Sequence, residues 1–308
     1  MNTSPKFKGK LIVIVGPTAS GKTDIAIKLA NKFGTEIISA DSRQFYKEIP
    51  IGTAAPTKTE RIEVAHHFVG SLSIADDYNV YKFEHDVLSL LDTRFVHSKA
   101  VIMTGGSGLY IDAVCNGIDI LPDIDESLRS SIVKLFENEG IAVLHEKLQE
   151  LDPMYYNQVD LNNPKRLMRA IEVCLQTNTP YSQLRKNNPQ TRNFDIVKIG
   201  ISVPRDILVE RINKRVDIMM DLGWVDEARS VFPVRHYNSL NTVGYKELFA
   251  VFENAMTYDQ AIEKIKTKTR RYAKRQMTWF RRDKDIQWFD YNDVDGMERF
   301  IQEKIVGC

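Results

Sequence analysis

The sequence predicts an α/β fold with a parallel sheet core, a helical insertion domain and a helical C-terminal region. Three observations predict it. Apolar, mostly β-branched runs at Leu11–Val15, Glu36–Asp41, Ala100–Thr104 and Val197–Val203 have the length and content of buried strands. Helical patterns separate the first three of these runs. Between Leu121 and Arg192 no strand pattern appears, only amphipathic helical spacing. The expected divisions are 1–120 for the first part of the core, 121–195 for the insertion, and 196–308 for the returning strand and basic C-terminal helices.

The first strand runs into Gly16-Pro17-Thr18-Ala19-Ser20-Gly21-Lys22-Thr23, and a helical pattern follows over Asp24–Phe33. This is a phosphate loop in its required strand–loop–helix context, which makes the core P-loop NTPase-like. Its glycines let successive N–H groups face one phosphate cluster, and the following helix adds its positive end. Lys22 can reach terminal phosphates, and the Thr23 hydroxyl can hold Mg²⁺. The motif does not say which phosphate compound is bound or whether a phosphoryl group moves.

The second strand ends at Asp41-Ser42-Arg43-Gln44. Ligands of open α/β sheets bind at the carboxyl ends of strands, so Asp41 is expected in the same crevice as the loop. Ile51–Pro56 reads as a loop and His66–Ser71 as a short strand. His66 and His67 face opposite sides of a strand and are read as structural. Tyr81–Phe95 has helical periodicity. The third strand ends in Gly105-Gly106-Ser107-Gly108-Leu109-Tyr110, a second glycine turn, where a nucleotide hydrolase would carry an acid. That pattern argues against ATP hydrolysis and for a backbone-and-hydroxyl clamp.

In the insertion, Asp125 is a predicted N-cap, Gly140 a stop, and Asn163-Pro164 a helix start. On that last helix Leu167, Ile171 and Cys174 or Leu175 face inward, while Lys165, Arg166 and Arg169 share a polar side. Asp206–Leu222 is helical, and its mixed-charge face, Glu210, Arg211, Lys214 and Arg215, reads mostly as a solvated surface. Asn241–Lys246 turns into a further helix. Tyr258–Phe280 is a long basic helix with Ile265, Tyr272 and Trp279 as its buried seam. Two exposed rows of cations are expected on it, Arg270, Lys274 and Arg281, and Arg271, Arg275 and Arg282.

Composition limits the function further. The 308 residues are 43% hydrophobic and 27% charged, which suits a folded protein of one large or two smaller domains. From Lys264 to Lys284 there are ten basic residues and one acid, a net +9. The formal total is only +1, so the rest carries −8. Such concentration points to a polyanionic partner. Cys115, Cys174 and Cys308 are odd in number and lack zinc spacing, so all three read as reduced thiols of a cytoplasmic protein. Met1–Lys10 has no apolar core of a signal peptide, and no run has membrane-spanning length. A monomer is expected.

These pieces together resemble the tRNA dimethylallyltransferase (tRNA isopentenyltransferase) family. The motifs that carry the likeness are Gly16–Thr23, then Glu36–Asp41 with Ser42, Gln44 and Tyr46, and then Gly52-Thr53-Ala54 and Gly105–Tyr110. They continue with Arg166-Leu167 and Arg169-Ala170, Val243–Glu247, and Thr269-Arg270-Arg271-Tyr272-Ala273-Lys274-Arg275-Gln276 with Thr278-Trp279-Phe280. Ser107 stands where the family usually has Thr, Ala55 where it often has Lys, Arg271 where it often has Gln, and Asn241 where it usually has Arg.

The resemblance implies transfer of a dimethylallyl group from its diphosphate to the exocyclic N6 amine of the adenosine 3′-adjacent to the anticodon. Gly16–Thr23 would then hold a diphosphate leaving group with Mg²⁺ on Thr23. Asp41 would be the general base, with a structural cap or Mg²⁺ ligand as its alternative. Lys22, Ser107 and Arg129 would serve the leaving group or tRNA. The anticodon stem-loop would meet Asp41, Ser42, Arg43, Gln44, Ser107, Arg129, the run Lys165-Arg166-Leu167-Met168-Arg169, Thr242, Gly244, Tyr245, Lys246, Arg270, Arg271, Lys274 and Arg275. Competing readings are a prenyltransferase on free adenine nucleotides, a small-molecule kinase and an RNA-binding ATPase.

Overall fold

The computed structural model describes residues 9–119, 121–123, 125–186 and 188–306. Cys308 and most of the N-terminal leader lie outside them. The chain divides into two compact units, Met1–Cys115 with Arg192–Cys308, and Asn116–Thr191.

The first unit is built on a parallel sheet. Its elements begin with β1 (Lys10–Val15), α1 (Lys22–Phe33), β2 (Ile37–Ser39), α2 (Lys58–Glu63), β3 (His66–His67), α3 (Val80–Arg94), β4 (Ala100–Gly105) and α4 (Gly108–Asn116). The second unit holds α5 (Glu126–Glu139), α6 (Ile141–Leu151), α7 (Pro153–Tyr156), α8 (Pro164–Thr177) and α9 (Tyr181–Leu184). The chain then returns through β5 (Asp195–Ser202), α10 (Arg205–Asp221), α11 (Trp224–Val231), α12 (Tyr245–Phe252), α13 (Tyr258–Phe280), β6 (Gln287–Asp290) and α14 (Val294–Val306). Strand order is β3-β2-β4-β1-β5-β6, all parallel.

Alternation along β1 explains the layering. Leu11, Val13 and Val15 pack with Phe83, Val87 and Leu91 of α3 and Ile111 and Val114 of α4. Ile12 and Ile14 face the other way, onto Ile25 and Leu29 of α1 and Met297 and Ile301 of α14. Both faces are covered, so the strand reads as one apolar run. Register brings Val15, Ser39 and Gly105 to one edge, because Val15 pairs with Gly105 and Ser39 with Thr104. The loops after β1, β2 and β4 therefore open at the same end of the sheet.

The second unit has its own core of Ile132, Leu144, Leu148, Leu167, Ala170 and Ile171. Asp125 caps α5 by accepting from the N–H groups of Ser127 and Leu128, a feature worth about 1 kcal/mol. On α8 it is Cys174 that faces inward, while Leu175 is exposed.

Three expectations need correction. The strand predicted over His66–Ser71 stops at His67, because Phe68 and Gly70 adopt left-handed backbone. On α13 the most buried positions are Ala261, Ile265, Ala273, Gln276 and Phe280, so Tyr272 and Trp279 sit at the seam's edge. Arg270 is not exposed: it is half-buried and donates to Asn213 Oδ1 and Thr267 Oγ1, each at 2.8 Å.

Arg192 ties the returning segment to the sheet's helical cover. It donates to the carbonyls of Ala113 and Val114 and pairs with buried Glu84 of α3 at 2.5 Å. Removing one partner of such a pair strands a buried charge. Glu84→Ala is expected to cost about 3 kcal/mol in urea unfolding. A loss below about 1 kcal/mol would show that the guanidinium finds compensation elsewhere.

Candidate active site

The loop between β1 and α1 is shaped by two left-handed residues, Ala19 at φ 63° and Gly21 at φ 88°. Gly21 begins α1 without any side-chain cap, which leaves the helix's first N–H groups free to meet an anion. Lys22 Nζ donates back to the Pro17 carbonyl at 2.7 Å, and Thr18 N–H donates to Gln276 Oε1 of α13 at 2.8 Å.

Facing the loop is a small cavity of about 50 Å³. Thr18, Lys22 and Thr23 line it from the loop, Ser39, Asp41 and Gln44 from the region after β2, and Gly105 and Gly106 from the second glycine turn. Arg215 reaches it from α10, Gln276 from α13, and His66 from β3. A larger cavity of about 460 Å³ adjoins it, within the size range of ligand pockets. Its lining includes Ser42, Arg43, Thr53, Trp224, Thr242, Lys246, Tyr272 and Arg275. Thr18, Asp41 and Arg215 line both cavities, so the carboxylate and the guanidinium stand at the junction.

The glycine turn is a packing requirement. At Gly105 a Cβ would lie 2.2 Å from the Ala40 carbonyl oxygen, so no acid can stand there. Asp41 Oδ1 accepts from Arg43 N–H at 3.0 Å, and Arg43 in turn holds the Asn238 and Ser239 carbonyls. Burial is the main cause that brings the Lys22 ammonium down to about 7, followed by the charge of Arg215, while Asp41 pulls it up. Burial also lowers the Arg215 guanidinium, against Asp41 and Asp24.

Several sequence-predicted residues lie elsewhere. Ser107 lines neither cavity; its hydroxyl accepts from Ser42 N–H at 3.0 Å and so braces the loop after β2. Gly244 and Tyr245 are buried. A Cβ at Gly244 would fall 2.0 Å from the Trp224 ring, and the Tyr245 hydroxyl donates to Glu227 Oε1 at 2.5 Å. Glu227 also accepts from Ile51 and Gly52 N–H, which fixes the 51–54 loop. In the second unit, Leu167 is core and Met168 packs against it. Arg129 and Arg169 both converge on buried Glu172, whose 2% exposure leaves it dependent on them. Lys165 and Arg166 are exposed there. On α13, Arg271, Lys274 and Arg275 are exposed, with no acidic partner among the described residues.

Two site residues escaped the sequence reading. Arg215 was counted in a solvated face, and Gln276 was given no role. Arg215 lies one turn from buried Ile212 and next to Val216 on α10, so its position on the helix places it at the edge of the apolar stripe.

Comparison with known proteins agrees with this geometry. The family model described as IPP transferase matches residues 44–283. The chain belongs to the IPP transferase family. A tRNA dimethylallyltransferase of Parabacteroides distasonis is 48% identical over 296 residues, which cover 96% of this chain and 99% of that protein. One from Azobacteroides pseudotrichonymphae is 51% identical over 288 residues, 94% of each. Among solved structures, the full-length tRNA isopentenylpyrophosphate transferase of Bacillus halodurans superposes with a TM-score of 0.72 at 33% identity over 97% of both chains. A eukaryotic dimethylallyltransferase acting on tRNA gives 0.75 at 25% identity, covering 97% of this chain and 78% of its own.

The depressed Lys22 makes anion binding proton-linked. An incoming diphosphate favours the charged ammonium and raises its pKa, so above pH 7 binding takes up a proton. Affinity for inorganic diphosphate is expected to weaken as pH rises past 7, by up to about tenfold per unit. Calorimetry in buffers of different ionisation enthalpy should show uptake of about one proton at pH 8, absent in Lys22→Met. Equal uptake in both proteins would remove Lys22 as the linked group.

Proposed function

We propose that this chain modifies tRNA by transferring a dimethylallyl group from dimethylallyl diphosphate to the N6 amine of the adenosine 3′-adjacent to the anticodon, releasing diphosphate. The observation that carries the reading is the junction: Asp41 and Arg215 line both the phosphate-loop cavity and the larger cavity beside the basic helix. The diphosphate would lie on one side and the target base on the other, with the reacting carbon between them.

In the reaction the N6 nitrogen attacks the first carbon of the allyl group. The carbon–oxygen bond to diphosphate breaks, and the N6 proton leaves to a base. Adenine's amine is a weak nucleophile because its lone pair is delocalised into the ring. Asp41 is suited to accept the proton, since its Oδ1 is held by the Arg43 N–H and its carboxylate faces the junction. The departing diphosphate gains negative charge. Arg215 and the open N–H groups of α1 would oppose that charge where they stand, and Lys22 would join them by leaving the Pro17 carbonyl.

Mg²⁺ fits the donor set. Thr23 and Asp41 offer oxygen ligands on the small cavity, and Mg²⁺ takes one or two protein oxygens and completes its shell from phosphate and water. Among the described residues no cluster of three His, Cys, Asp or Glu provides an all-protein cage. Held at Thr23, the ion would supply further neutralisation of the leaving group.

The base must leave its stack to enter the larger cavity, where Tyr272 and Trp224 offer aromatic surface. Arg271, Lys274 and Arg275 face outward for phosphates. Among the described residues no helix is long and apolar enough to cross a membrane. A cytoplasmic monomer is part of the same proposal.

Asp41→Asn keeps an acceptor for the Arg43 amide but removes the base. Transfer from labelled dimethylallyl diphosphate to tRNA is expected to fall by at least about a hundredfold, with tRNA affinity within about threefold of wild type. Turnover near the wild-type rate would take Asp41 out of the chemistry. Lys274→Glu with Arg275→Glu is expected to weaken tRNA binding and reduce the slope of log K against log salt by about two. An unchanged slope would mean these cations do not meet phosphates.

A further inference from the structure

Gln276 is a polar side chain on the otherwise apolar buried face of α13. It lies between buried Ala273 and Phe280 and is itself 5% exposed. Both ends of its carboxamide are used. Oε1 accepts from the Thr18 N–H at 2.8 Å, and Nε2 donates to the Gly106 carbonyl at 2.9 Å. The first partner belongs to the phosphate loop and the second to the glycine turn beside Asp41. A Cβ at Gly106 would stand 2.2 Å from Gln276 Nε2 and 3.7 Å from Asp41 Oδ2, so glycine at this place is what admits the amide.

The same helical turns carry exposed cations, Lys274 and Arg271 on the side opposite Gln276 and Arg275, which also lines the larger cavity, between the two sides. Arg275 is the adjacent residue, Lys274 the one before it, and Arg271 lies five residues back, all exposed. Tyr272, one turn before Gln276, lines the larger cavity. One stretch of helix thus presents cations to solvent and a hydrogen-bonding amide to the phosphate loop. A planar amide with little exposure is fixed between two partners by oppositely directed bonds, so a shift of the helix is felt at Thr18.

We propose that Gln276 is a positioning residue that links the two substrate sites, so that RNA phosphates on α13 tighten the phosphate loop's hold on diphosphate, and diphosphate tightens the hold on RNA. The link rests on the functional reading above. Because it is an equilibrium coupling, both directions carry the same factor.

The test uses the full chain with Mg²⁺, inorganic diphosphate and an unmodified tRNA. Each ligand is titrated alone and in the presence of the other. In the wild-type protein tRNA should tighten diphosphate binding by about fivefold or more, and diphosphate should tighten tRNA binding by the same factor. Gln276→Met keeps the side chain's volume and removes both hydrogen bonds. It should bring the factor below about twofold, while tRNA alone binds within about threefold of wild type. A merely structural role would weaken both ligands and leave their coupling factor intact. Gln276→Glu, which keeps the acceptor for Thr18 but sets a lone pair against the Gly106 carbonyl, should lose the coupling too, and it decides the question if the Met variant does not fold. Two ligands that bind the wild-type protein without coupling, or a coupling factor that survives in the folded variant, would overturn the link alone. Failure of tRNA or diphosphate to bind the wild-type protein would overturn the functional reading instead.

Discussion

Two half-buried cations face one carboxylate at the centre of this protein, and that imbalance organises the rest. Lys22 and Arg215 share a cavity with Asp41. Burial works against both cations, and each also suffers from the other's charge or relies on the carboxylate. Without an anion the arrangement is poorly compensated, as the retreat of Lys22 onto the Pro17 carbonyl illustrates. In the proposed reaction a diphosphate would supply the missing negative charge, and most strongly as it departs. The same residues that are costly to hold in the empty fold are therefore those that favour the product side of the bond cleavage.

Holding that cluster requires elements far apart in the chain. The parallel sheet brings the ends of β1, β2 and β4 to one edge, which places the phosphate loop, Asp41 and the glycine turn together. Arg215 comes from a helix that follows the whole second unit, and Gln276 from the basic helix beyond it. A second layer of contacts fixes these parts. Ser107 braces Ser42, Arg43 grips the carbonyls of Asn238 and Ser239, and Glu227 clamps the 51–54 loop through two backbone amides.

The division between what was legible in the sequence and what was not follows from the range of each signal. The four apolar strands, the phosphate loop and the limits of Tyr258–Phe280 depend on local pattern, and the structure has them close to where the pattern put them, whereas the strand expected over His66–Ser71 stops at His67 and the edge strand Gln287–Asp290 was not foreseen. Asp41 was legible because it ends a strand beside a loop of known chemistry. Arg215 was not, because a cation on an amphipathic helix looks the same whether solvent or a cavity lies beyond it. Gly244 and Tyr245 show the converse. Their motif suggested RNA, and what only the fold reveals is that a tryptophan ring rests on the glycine and that the tyrosine bonds the half-buried Glu227. A motif marks residues that matter together; only the packing separates those that touch a ligand from those that hold the others.

The basic helix shows why net charge alone overstates a nucleic-acid surface. Lys266 pairs with Asp217 and Lys268 with buried Glu247, while Arg270 is bound to Asn213. These three cations fasten α13 to α10 and α12. Of the remaining exposed cations Lys264 lies in the N-terminal half, Arg271, Lys274 and Arg275 lie in the C-terminal half that also carries Gln276, and Arg281 and Arg282 follow its end. The helix is thus anchored at one end and charged at the other. An RNA held by the charged half would bear on the part of the helix that touches the phosphate loop, whereas a uniform basic surface would bind phosphates without any such direction. Partial neutralisation within the fold gives the helix its polarity, and on the proposed function that polarity would join RNA bound to its cations to the chemistry.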